Sequence, residues 1–137
     1  MKAPIEVFFY GLFMDRDILL KNGIEPINPR KGFLNDYALK IGNRASLVPS
    51  KNEKSYGVVM TCDTEVIQKL YAEESVSDYI PEEVDVVIAN GTSVKAICYN
   101  LPLESLTGTN VSYALSLHAL AKQIGFPENY LVKIKKM

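Results

Sequence analysis

The chain has little of what carries metal and nucleophile chemistry. Its 137 residues include one histidine, His118, and two cysteines, Cys62 and Cys98. The cysteines lie far apart, with no histidine or further cysteine at ligand spacing, so no metal-binding motif is present. They read as reduced core thiols. Each borders an apolar run, and a disulfide stays open only if those runs lie side by side. Positive charge is not in excess either. Fifteen Lys and Arg against sixteen Asp and Glu give a formal charge of −1, which argues against a nucleic-acid binder with its basic face or stripe. The one basic cluster, "KIKKM", suits the C-terminus of a helix, where lysines offset the macrodipole. No apolar run approaches the ~20 residues of a membrane helix. No charged-then-apolar start marks a signal peptide, so a cytoplasmic location is expected, with no membrane partner. Repeats and low-complexity tracts are missing too.

What is present is a mixed surface and 47% apolar residues, enough for one globular domain over 1–137. "IEVFFY" (5–10) reads as a buried strand, and "MDRDILLKNG" as a helix with acids early and Gly23 at its end. "EPINPRKG" reads as a connection. "FLNDYALKIG", "ASLVPS" (stopped by Pro49) and "SYGVVMTC" read as three strands. A helix capped by Asp63 or Thr64 follows, over about 64–74. Two β-rich runs flank Asn90-Gly91, a strong hairpin signal. "VSYALSLHALAKQIG" predicts a helix with Ala114, Leu117, Ala121 and Ile124 on one face, and Pro127 opens a last helix. The order predicts an α+β fold, a curled mixed or antiparallel sheet with helices around it.

Two places point to chemistry. In "FFYGLFM" (8–14), Gly11 interrupts an apolar run where neither a strand nor a helix interior needs it. It predicts a strand-to-helix turn, either simply tight or open so that a ligand can approach the backbone N–H groups. The second place is the helix over 64–74. With about 100° per residue, Val66, Ile67, Leu70 and Tyr71 form one apolar face, and Glu74 falls within about 20° of its middle. A carboxylate on such a face is paired, wet or neutralised, and burial would suit it to proton transfer near neutral pH. The plainer alternative is that the helix has ended by Glu74 and the side chain turns to water. His118, beside Ala114 and Ala121 at helical spacing, reads as packed or at the surface. Arg44 reads as an exposed loop arginine able to pair with a carboxylate.

These pieces resemble the gamma-glutamylcyclotransferase family, in order and over nearly the whole chain. "FFYGLFM" is similar to the family's strand-and-turn signature, Tyr-Gly-Ser-Asn or Tyr-Gly-Thr-Leu. "ASLVPS" with "YGVVM" is similar to its next strand region. "IQKLYAEESV" resembles its Leu-Asp-x-x-Glu-Gly segment, and "VSYALSLHALAKQIGFPENYLVKI" its C-terminal region. The resemblance implies a curled β-barrel with peripheral helices and a cofactor-independent reaction. In that reaction the α-amine of a γ-glutamyl compound attacks its own γ-carbonyl, giving 5-oxoproline and a free amine or amino acid. It further implies Glu74 as the general acid/base, backbone contacts from Tyr10, Gly11, Leu12 and Phe13 to the glutamyl carboxylate, and Tyr79 and Tyr113 in the pocket. Leu12-Phe13 and Ser75 depart from the signatures, which bears on substrate preference. A non-catalytic small-ligand-binding domain on the same scaffold is the alternative. Neither the oligomeric state nor the group on the γ-carbonyl is legible.

Overall fold

The computed structural model describes residues 3–137, and its centre is a closed five-stranded barrel in the order β1-β3-β2-β4-β5. The strands are β1 (Pro4–Phe9), β2 (Ile27–Ile41), β3 (Ala45–Asp63), β4 (Ile80–Ile88) and β5 (Ser93–Asn100). All neighbouring pairs are antiparallel except β1 and β5, which close the barrel in parallel through Val7 and Ile97. Four helices pack around it: α1 (Arg16–Lys21), α2 (Thr64–Leu70), α3 (Val111–Ile124) and α4 (Glu128–Lys135). The α+β barrel with peripheral helices is therefore the fold.

The apolar run of β1 is explained by burial on both faces. Val7, Phe8 and Phe9 are all buried, one set toward the barrel interior and the other toward its covering elements. The helix ends follow their caps. Asp15 accepts from the Asp17 amide and Asp63 from the Glu65 amide. At the end of α1, Gly23 takes φ +77° while the Gly23 and Ile24 amides bond back to Leu20 and Leu19, a Schellman closure. Asn110 starts α3 by accepting from the Tyr113 amide. Ala114, Leu117 and Ala121 are its buried face, while Ile124 is only half-buried.

Four expectations are corrected. "EPINPRKG" is a connection only as far as Pro26; Ile27 onward is already β2. Its start is irregular, with Asn28 at φ +52° and a register shift before Arg30, so Pro29 is accommodated where the ladder is interrupted. "ASLVPS" and "SYGVVMTC" are one strand, β3. Pro49 does not stop it, because the hairpin carries a wide bulge there: Tyr37 pairs with Pro49 but Asn35 with Lys54, and the Asp36 carboxylate accepts from the Asn52 amide. Between β1 and α1, residues Leu12–Met14 form a single 3-10 turn, so the strand does not run straight into a helix. Finally, α2 ends at Leu70 rather than near residue 74. The two cysteines are buried and unpaired, on β3 and β5, with β1 between those strands.

Candidate functional site

A cavity of about 280 Å³ opens at the C-terminal end of β1. Four pieces of chain form its rim: the turn after β1, the β2–β3 turn at Gly42–Ala45, the segment 71–79 after α2, and Tyr113 on α3. The β2–β3 turn is anchored from behind, where the Asn43 amide donates to the Thr107 carbonyl and Asn110 Nδ2 to the Asn43 carbonyl. A buried polar link fixes the wall beneath it. Ser46 Oγ accepts from the Leu101 amide at 2.9 Å, and Asn100 Oδ1 accepts from the Leu47 amide at 3.2 Å. Each of these groups would be costly to bury alone, and pairing them ties the start of β3 to the end of β5.

The wall is aromatic. Tyr71 stacks on Tyr99 with ring centroids 3.8 Å apart and planes 7° from parallel. Phe13 meets Tyr71 edge-on, and Tyr79 packs against the same ring. The hydroxyls are spent on backbone. Tyr10 Oη donates to the Tyr99 carbonyl at 2.7 Å and Tyr79 Oη to the Ala45 carbonyl at 2.6 Å. Tyr113 Oη instead accepts from the Leu12 amide at 3.2 Å, which leaves its own proton to be donated elsewhere. Burial raises the pKa of Tyr10, Tyr71, Tyr79 and Tyr113 above the ordinary phenol value. They are therefore protonated donors at neutral pH, and none serves as a base.

Six residues picked from the sequence, Tyr10, Gly11, Leu12, Phe13, Tyr79 and Tyr113, line this one cavity. Glu74 does not. It follows the end of α2 and is exposed, while Tyr71, Ser75, Val76 and Tyr79 of the same segment line the wall. The helical projection that put Glu74 on an apolar face fails because the helix stops: after Leu70 the chain goes through successive turns, with Val76 bonding back to Glu73 and Tyr79 to Val76. No Asp or Glu is among the residues lining the cavity. His118 is half-buried away from it. Gly11 has a different reason from the one expected. Its φ of −110° suits any residue. A Cβ there would lie 2.4 Å from Tyr113 Oη, so the glycine makes room for a tyrosine of the protein itself.

Sequence reasoning missed Tyr71, Tyr99 and Arg44 as wall residues. Tyr71 was legible only as part of an apolar helix face, and Tyr99 only as a strand residue. Among the described residues Arg44 carries the sole cationic side chain of the wall; it pairs with Asp78 and lies 5.7 Å from the Tyr79 ring centroid. Among the described residues no cluster of His, Cys, Asp and Glu is arranged to hold a metal. Burial pushes the Cys62 thiol up to about 11 and raises Cys98 as well, so neither is a ready nucleophile.

Residues 7–114 match the family model described as gamma-glutamyl cyclotransferase, AIG2-like. The chain belongs to this family. No curated protein matches it in sequence. Solved structures share the cyclotransferase-family fold. One described as a gamma-glutamyl cyclotransferase superposes with a TM-score of 0.78 at 19% identity, over 97% of this chain and 87% of that one. A human protein described as uncharacterized, loc79017, gives 0.75 at 22% identity over the same shares. YkqA from Bacillus subtilis gives 0.74 at 20% identity; 97% of this chain matches about half, 53%, of that protein. At these identities the likeness is one of fold.

Proposed function

We propose that the protein cyclises a γ-glutamyl compound at this cavity, releasing 5-oxoproline and an amine or amino acid, with Glu74 moving protons from the rim. The observation that carries the reading is convergence. The Tyr10–Phe13 turn, Tyr79, Tyr113 and the segment holding Glu74 all meet at one aromatic hollow, in a chain whose family is named for this reaction. The chemistry asks little of the protein. Confining the glutamyl chain in a near-ring shape favours closure, by as much as ~7–11 kcal/mol in well-oriented cases. The amine nitrogen forms a bond to the γ-carbonyl carbon and the amide C–N bond breaks. A base takes the ammonium proton and an acid returns one to the leaving nitrogen, and one carboxyl can do both in turn. The Tyr113 hydroxyl, polarised by the Leu12 amide, is a donor available to the developing oxyanion. Because Glu74 is exposed, the reading requires the 71–79 segment to turn that carboxyl inward when substrate binds.

A second reading is favoured by one specific observation: the wall carries no carboxylate and Glu74 is exposed to water. On that reading the cavity binds a small molecule without turning it over. Incubation with a panel of γ-glutamyl dipeptides and γ-glutamyl amines, with 5-oxoproline as the readout, separates the two. Cyclisation predicts product from wild type and a loss of about 10²–10⁴-fold in Glu74→Gln, folding unchanged. Equal product from both proteins moves the base elsewhere. Binding without product from wild type establishes the second reading.

A further inference from the structure

On the proposed reading the glutamyl part lies at the Tyr10–Phe13 turn, and the group that leaves meets the rest of the cavity lining. That lining is a set of rings with Tyr71 at its centre. Tyr99 stacks on Tyr71 with centroids 3.8 Å apart, and Phe13 and Tyr79 each meet it at 6.1 Å. The Tyr79 hydroxyl is given to the Ala45 carbonyl and the Tyr10 hydroxyl to the Tyr99 carbonyl, so these two rings have only carbon to offer a ligand. Val76 adds an aliphatic side chain from the segment that holds Tyr71 and Tyr79. Among the described residues the lining holds no carboxylate, and its one cation, Arg44, is already engaged by Asp78, through Nη1 to Oδ1 at 2.5 Å and Nη2 to Oδ2 at 2.7 Å.

We propose that the group released from the γ-carbonyl is apolar and, apart from its leaving nitrogen, uncharged, with a flat aromatic body preferred, and that Tyr71 sets this preference. The inference rests on the cyclisation reading and adds to it the class of substrate. Apolar surface gains by leaving water for such a wall, about fourfold in affinity for each methylene buried. A flat ring gains more, because aromatic rings attract one another in edge-on and offset arrangements beyond the area they bury. A second ammonium in the same place loses its water and finds no carboxylate in exchange. Glu74, the one carboxyl that the reading brings inward, is committed to the reacting nitrogens. Contacts made to the leaving group before or during reaction register in kcat/KM.

Rates of 5-oxoproline formation by the full chain test this on two matched pairs of γ-glutamyl amides, each pair compared as a ratio of kcat/KM. A ratio taken on one sample does not depend on how much of the sample is folded. The pentyl and 4-aminobutyl amides are equal in length and differ by a methyl against an ammonium; the pentyl compound is expected to lead by about 10- to 100-fold. The 2-phenylethyl amide is expected to exceed the 2-cyclohexylethyl amide by about two- to tenfold. Tyr71→Leu brings this second ratio close to one and leaves the first largely intact, whereas Tyr71→Phe keeps both. Tyr99→Leu, which removes the stacked partner of Tyr71, lowers the second ratio as well. An aminobutyl amide turned over as fast as the pentyl one overturns the proposal, and a phenyl preference that survives in both leucine variants overturns the assignment to Tyr71. In either case product has formed and cyclisation stands. No product from these four amides, with γ-glutamyl dipeptides of polar residues turned over, also removes this inference alone. No 5-oxoproline from any γ-glutamyl compound removes the cyclisation reading together with it.

Discussion

Two sides of one cavity are held in opposite ways. The turn at Tyr10–Phe13 is clasped from inside: Gly11 leaves a gap, Tyr113 fills it, and the Leu12 amide bonds the filling hydroxyl. The segment 71–79 is held mostly from outside, by an ion pair of half-exposed side chains and by short-range turns, with Tyr71 and Tyr79 as its anchors. The inner clasp is half-buried but tightly packed at Gly11, which limits its movement. A surface clasp can open, since water can take the place of either partner. The side that carries Glu74 is thus the side built to move, and the side that carries Tyr113 is built to stay.

The comparison breaks first at Gly11. Gly11→Val drives side-chain atoms into Tyr113 Oη, and overpacking of this kind costs about 1–3 kcal/mol. Thermal denaturation should show that loss, and 5-oxoproline binding should fall with it. A valine that leaves both unchanged would show that the clasp is loose. A double-mutant cycle sharpens the point. Tyr113→Phe alone leaves the Leu12 amide without its acceptor, at about 1–3 kcal/mol. It also clears the space a Cβ needs, so Gly11→Ala should cost less when combined with Tyr113→Phe than it does alone. Additive costs would mean that the two residues do not meet. Leu12→Ala should be milder for binding than Gly11→Val, because the backbone amide survives and Leu12 is only half-buried. A titration in the reverse order removes the clasp from the account of the site.

The same contrast explains what could be read from the sequence. The turn was legible because an out-of-place glycine between aromatic residues signals a close approach; what approaches was not, since Tyr113 lies 101 residues from Leu12. The helix over 64–70 was legible from Asp63 and the spacing of Val66, Ile67 and Leu70. Its end was not. Nothing like a glycine or proline marks the break, and Tyr71 continues the apolar pattern because it faces an aromatic wall, stacked on Tyr99. Periodicity therefore carried the helix one turn too far and carried Glu74 onto a face that does not exist. The same blindness to tertiary support split β3 at Pro49, which the bulge tolerates. Arg44 looked ordinary for a related reason: its partners Asp78 and Ser75 are over 30 residues away.

The smallest expected effect is a matter of pH, and it separates the two sides without any substitution. The hydrogen bond from Arg44 holds the Asp78 carboxyl below the usual aspartate range, and the same bond raises Arg44, which is charged throughout. A folded-state pKa lower than the unfolded one means that the pair contributes above the unfolded value, about 3.9, and that the contribution is lost as pH falls through the depressed folded value. Near neutral pH the surface clasp is therefore fully made, and it opens only in acid. The inner clasp has no group that titrates there: the Leu12 amide does not ionise, and burial pushes Tyr113 upward, away from that range. Amide spectra of a nitrogen-15-labelled sample, followed downward from about pH 6, should show residues 75–79 shifting below about pH 4 while Leu12 and Phe13 hold their positions. If the turn and the segment change together, the cavity responds as one unit and the division between a fixed and a movable side is wrong. If neither changes, Asp78 does not hold the segment.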